Sequence, residues 1–292
     1  VSLTAAGALT MDPDTFIRAG SGSITMDAGG DLTVGKLRTT SATDVVLTTG
    51  GALIDAGNSD TDIIAPNARL VIESVSGIAD AGQIEVEVAG IDLRNTGSGG
   101  ISMLSYGTLY IHRVVNNGAG VTSLSTMEGD IELLPAHHGI TAASGQVSLY
   151  AGSGQQTVGA EVIDLGRVII AKAVTTTGGG VSVFAEQGDI TLIDGIRVGG
   201  EGEIRLYAPE GAIVNDPDAV GWLLDGTDFD LAIDWALRNG KVSVDQETGK
   251  IIVSGLGEPY MGLENDDVLR AADGPYLQTG GLLTLYARDK IG

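Results

Sequence analysis

Carboxylates are the most abundant chemically capable side chains in this sequence, so their spacing decides what chemistry is open to it. Asp216, Asp218, Asp225, Asp228 and Asp230 follow Asn215 in a dense run. Hard cations take several oxygen ligands, which makes these five the candidate calcium ligands. The EF-hand spacing, with its central Gly and terminal Glu, is absent. The Gly-Gly-x-Gly-x-Asp nonapeptide of calcium-binding β-rolls is absent too, and GGDLTVG at 29–35 only approximates it. Plainer roles compete: Asp216 and Asp218 flank Pro217 in a turn, and Asp228 and Asp230 suit the start of a helix. A second set, Asp31, Asp130 and Asp189, follows a glycine each time, at what read as equivalent turns. Paired carboxylates cleave glycosides, and polysaccharide lyases need calcium with a basic proton acceptor. Gly-Asp is also ordinary turn chemistry, and no Arg/Lys cluster stands beside these acids.

Other chemistry is thinly represented. His137 and His138 are adjacent in PAHHG and would point to opposite sides of a strand, while His112 stands alone. Cysteine is absent, which removes disulfides, thiol catalysis and thiolate-bound zinc. No Ser-His-Asp set, P-loop or dinucleotide fingerprint is present. The expectation is a protein without catalytic residues or cofactor, calcium being the sole metal with candidate ligands.

Charge narrows the partners. Sixteen basic against 38 acidic residues leave a net charge of −22, which repels nucleic acid and anionic membranes. No apolar run is long enough for a transmembrane helix, and no signal peptide heads the chain. Forty-five glycines and only 4% aromatics, with 43% hydrophobic residues, indicate a turn-rich β protein.

The elements that must position these residues repeat. VSLTAAGALT opens a pattern that recurs in GSITMDAGGDLTV (22–34), TDVVLTTGGALID (43–55), ARLVIESVSGIAD (68–80), GGISMLSYGTLYI (99–111) and GVTSLSTMEGDIEL (120–133). It returns in GQVSLYAGSG (145–154), GGVSVFAEQGDITL (179–192), GEIRLYAPEGAIV (202–214) and GLLTLYARDKIG (281–292). Each copy alternates apolar and polar residues, then turns at Gly or Asp, so each reads as strand, corner and strand. First anchors at 1, 24, 45, 70, 101, 121, 147, 181, 204 and 283 give uneven steps, among them one of 31 and one of 34. A constant module with variable spacers predicts an all-β fold: a right-handed, single-stranded parallel β-helix of about ten coils. At roughly 4.8 Å per coil the stack would be on the order of 50 Å long. In such a stack Tyr150, Phe184, Tyr207 and Tyr286 share one column and form an aromatic ladder, with Asp27, Thr48 and Glu73 in the same place in earlier copies. A strip of rings for stacking sugars is the alternative use.

Three segments follow: coils over 1–215, an α+β insertion over 216–279, and resumed β-helix over 280–292. In the insertion TDFDLAIDWALRNG reads as a short capped helix, and KVSVDQETGKIIVSG as a hairpin with Val242 and Val244 against Ile251 and Val253. The acids Glu264, Asp266 and Asp267 lie beyond it. Opening and closing in mid-pattern, the sequence reads as a cut through a longer solenoid.

The runs GGVSVFAEQGDITL, GSITMDAGGDLTV and GVTSLSTMEGDIEL resemble the repeats of filamentous-haemagglutinin-like exoproteins, large bacterial surface adhesins built on parallel β-helices. The resemblance covers about 1–215 and 280–292, and the Asn-Pro-Asn motif of that family's secretion domain does not appear. It implies an extracellular or cell-surface rod for attachment, biofilm or matrix building. The partners implied are surface glycans, proteins or copies of itself, with end-to-end association through uncovered strand edges. The alternatives are a β-helix polysaccharide lyase or hydrolase, and a calcium-dependent assembly module.

Overall fold

The computed structural model describes residues 1–57, 60–80, 82–134, 137–158, 161–215, 242–244, 251–253, 277–278 and 282–288. Among them there is no helix. The strands stack in parallel as a three-sided β-solenoid of about nine turns.

Each turn begins on the first side. Ser2–Ala5 lies under Thr25–Ala28, then Val45–Thr49, then 69–74 and 91–95, and the column runs on through 113–116, Gly139–Ala142, Val174–Thr176 and Ile196–Val198 to Leu277–Gln278. The second side can be followed residue by residue: Leu9, Leu32, Leu53, Ile78, Ile101, Thr122, Val147, Val181, Ile204 and Leu283 are successive partners. Up to Val147 these partners are 21 to 25 residues apart. The step of 31 expected between Leu70 and Ile101 is therefore a change of side. Leu70 is stacked under Ile91, and Ile101 stacks on Ile78. IDLRN (91–95) is the first-side strand of that turn, and its corner TGSGG leads directly into Ile101.

Two interruptions account for the long steps. Between Val147 and Val181 an antiparallel hairpin, Gly154–Val158 with Glu161–Leu165, leaves the stack. Between Ile213 and Leu277 lies the predicted insertion. Its hairpin pairs Val242 with Val253 and Val244 with Ile251, as the alternating valines and isoleucines suggest. The predicted helix around Asp228–Asn239 lies outside the described residues. The stack resumes at Leu277–Gln278.

The interior is made of aliphatic columns, because stacking places each inward residue on its counterpart one turn away. Met26, Leu47, Ile72, Leu93, Val114 and Ile140 form one such column, each fully buried. Each buried aliphatic side chain contributes about 1.5–3 kcal/mol. The corner leaving the first side is lined by buried polar residues. Asn95 Nδ2 donates to Asn116 Oδ1 at 2.8 Å, and the backbone N–H groups of Gly77 and Gly118 donate to Asn95 Oδ1 and Asn116 Oδ1. These side chains supply partners that the turning backbone would otherwise lack. Glycine is required where turns touch: a Cβ on Gly145 would run into the carbonyl of Gly120, and one on Gly179 into that of Gly145.

Candidate functional site

The predicted aromatic ladder forms on the outer surface of the second side. Tyr150, Phe184, Tyr207 and Tyr286 stack with ring centres 5.2, 5.6 and 4.4 Å apart and planes within 14° of parallel. Phe184 and Tyr207 each have a ring on both faces, so they offer solvent their edges. Sugar stacking needs an open face, and the geometry therefore favours the ladder over the sugar strip. Asp27, Thr48 and Glu73 do not share this column, contrary to expectation. They belong to the first side, and Tyr150 stands instead on Ser125.

The corner aspartates act between turns. Asp31 Oδ1 accepts from the N–H of Ala52, Asp189 Oδ1 from that of Ala212, and Asp130 Oδ1 from those of Gly166 and Arg167. Asp130 is 1% exposed, and its other oxygen receives the Arg167 guanidinium. The three corners are not equivalent as the sequence suggests: Asp31 precedes the second side, whereas Asp130 and Asp189 precede Ile131–Leu133 and Ile190–Leu192, which stack in a separate column above Leu109–Ile111. Arginines elsewhere make the same kind of link between turns, Asp44 with Arg69, Glu73 with Arg94 and Asp92 with Arg113. These carboxylates are occupied by the scaffold.

The histidines also rearrange. His137 meets His112 of the preceding turn rather than acting with His138, the ring centres lying 4.1 Å apart at 52°. Burial, and secondarily the nearby Arg69, hold His112 below the usual imidazole range. The candidate calcium ligands Asp216, Asp218, Asp225, Asp228 and Asp230 lie outside the described residues.

A charged cluster that sequence reading missed sits on the outer surface of the third side of the first four turns, formed by Phe16–Arg18, Lys36–Arg38, 63–64 and 84–88, the last of which pairs onward with 103–105. Lys36, Asp62 and Glu85 occupy one outward column there, with Arg18, Arg38, Ile64 and Glu87 in the column beside it. Oxygens of Asp55, Asp62 and Glu85 approach within 4.8 Å of one another, which is the arrangement among the described residues that could hold a divalent cation. Asp62 is fully buried, and its Oδ2 accepts the N–H of Glu85 at 3.0 Å. Burial, reinforced by a hydrogen bond with the Glu85 carboxyl, pushes Asp62 up to about 8. At neutral pH the Asp62 carboxyl thus keeps its proton. Arg38 and Lys36 stand close by, Lys36 bonded to Asp60 at 2.6 Å. No short motif announces this cluster. Asp62 and Glu85 are 23 residues apart, the length of one turn, and only the correct register reveals them as neighbours.

Compared with known proteins, the chain matches no family model, no curated protein and no solved structure. No helix among the described residues is long and apolar enough to cross a membrane.

Proposed function

We propose that this chain is a stiff, acidic, non-enzymatic segment of a large secreted or surface-bound bacterial protein, serving attachment or matrix building. The observation that carries the reading is the use made of charge. Arg69, Arg94, Arg113 and Arg167 each join an acid of the preceding turn, so scarce basic residues reinforce the stack. Continuous parallel pairing, aliphatic columns and the aromatic ladder add stiffness without any group presented for turnover. The repeat style shared with filamentous-haemagglutinin-like adhesins supports the extracellular setting. Glycans, surface proteins or further copies of the chain are the partners of such a rod, and nucleic acid is disfavoured by its charge. Beads coated with the chain should adhere to cell surfaces or to each other, and uncoated or albumin-coated beads should not. Beads that stay dispersed and unattached would contradict the reading.

A second reading, a polysaccharide lyase or hydrolase, is favoured by one observation: Asp55, Asp62 and Glu85 converge from neighbouring turns beside Lys36 and Arg38. Against it, Asp62 is fully buried and cannot touch a substrate. Release of reducing ends or unsaturated sugars from acidic polysaccharides, lost in Glu85→Gln, would decide for the enzyme. A calcium-dependent assembly module predicts a rise in melting temperature with calcium that a chelator reverses; the rod predicts neither.

A further inference from the structure

The third side carries two guanidinium groups on successive turns. Arg18 and Arg38 are partners in register on the outer side of strands whose inward residues are Ile17 and Leu37. Their guanidinium carbons lie 5.4 and 6.0 Å from the centre of the exposed Phe16 ring. Neither joins an ion pair among the described residues, although Lys36, Arg69, Arg94, Arg113 and Arg167 all do. Nη1 of Arg38 is shielded from solvent and has no hydrogen-bond partner. Burial lowers the Arg38 pKa, opposed in part by the charges of Asp60, Glu87 and Asp62. A buried donor on a cation, beside a second cation, is costly without an acceptor.

Both arginines line a cavity of 450 Å³, whose remaining wall includes Thr39, Thr40, Ile64 and Pro66. Thr39 and Thr40 donate their hydroxyls to the Gly20 carbonyl, and Thr39 also to that of Gly22. Those protons are committed to the corner, so the guanidinium groups are the donors left to a ligand. Ile64 and Pro66 supply an apolar wall opposite water. A fork of charged donors matches a carboxylate in two-point contact. A cavity of this volume suits a small organic ligand, and a bare inorganic ion would leave its apolar wall uncovered.

We propose that this cavity binds a sugar acid, its carboxylate held between Arg18 and Arg38 and its ring against Ile64 and Pro66. The inference rests on the glycan-binding part of the reading above and narrows it to one ligand class. It gives a chain of net charge −22 one local site where an anion is attracted.

Calorimetric titration of the full chain with glucuronate, its neutral methyl ester and inorganic sulfate tests the site. Glucuronate should bind, and the ester and sulfate at least about tenfold more weakly, since each lacks either the charge or the ring. Arg38→Gln should abolish binding. Arg18→Gln, at an exposed position that the fold does not need, should weaken it at least about tenfold with the circular dichroism spectrum and melting temperature retained. The proposal is overturned if glucuronate gives no binding heat, if the ester or sulfate binds as tightly, or if Arg18→Gln binds like the native chain. Coated beads that still adhere while glucuronate fails to bind would remove the sugar-acid site and leave the rod; the reverse result would remove the rod alone.

Discussion

The outer surface near the start of the chain and that near its end, joined by the register from Glu85 through Leu104 and Ser125 to Tyr150, obey the same rule with opposite results. In both, stacking sets each residue on the one a turn away. At Tyr150, Phe184, Tyr207 and Tyr286 the repeated group is neutral and flat, and repetition is favourable. At Arg18 over Arg38, and at Asp62 over Glu85, the repeated group is charged, and repetition creates a demand. Asp62 meets it by keeping its proton; the guanidinium pair stays charged, and the proposed anion answers that charge. Between these extremes, Asp92 under Arg113 and Asp130 under Arg167 alternate sign and need nothing further.

Breaking an alternating pair should give the largest effect. Asp130→Ala strands the Arg167 guanidinium and the N–H groups of Gly166 and Arg167, with an expected loss of about 3–5 kcal/mol in chemical denaturation. A loss under about 1 kcal/mol would show that the pair contributes little beyond a surface bridge. The neutral column should be milder. Tyr207→Ala removes two stacking contacts, each worth about 0.5–1.5 kcal/mol, and should lower stability by about 1–3 kcal/mol. Tyr150→Phe is the smallest change: it keeps the ring and loses only the hydroxyl that donates to Glu186 at 3.0 Å. Being exposed, it should cost less than about 1 kcal/mol. An order reversed between Tyr207→Ala and Tyr150→Phe would mean that the ladder owes its stability to its hydroxyl groups.

Sequence made the solenoid legible because its signals are local: two-residue alternation, corner glycines and the SLYA, SVFA, RLYA, TLYA series. Phase was harder to read. Leu70 to Ile78 and Ile101 to Leu109 have the same spacing although Leu70 and Ile101 start on different sides, since one apolar alternation looks like another. That single slip put Glu73 in the aromatic column and concealed the contact of Asp62 with Glu85. The contact of His112 with His137 was hidden for the same reason, since His138 is the neighbour that sequence displays. Long-range neighbours become visible only when the length of every turn is known.

The Asp62 carboxyl tests the rule most directly, through the pH dependence of unfolding. Its pKa is raised in the folded chain, from an ordinary 3.8 to about 8, so over that interval the folded state holds a proton that the unfolded state has released. Stability should therefore fall as pH rises from about 4 to about 8, by at most about 1.4 kcal/mol per pH unit from this group, and level off above. Asp62→Asn keeps a neutral group in place and removes that proton, so its profile should be flatter by this amount, with the largest gain over the native chain near pH 8. Parallel profiles for the two chains would contradict the account, because they would mean that Asp62 holds no extra proton in the folded chain and that repeating a charge creates no demand.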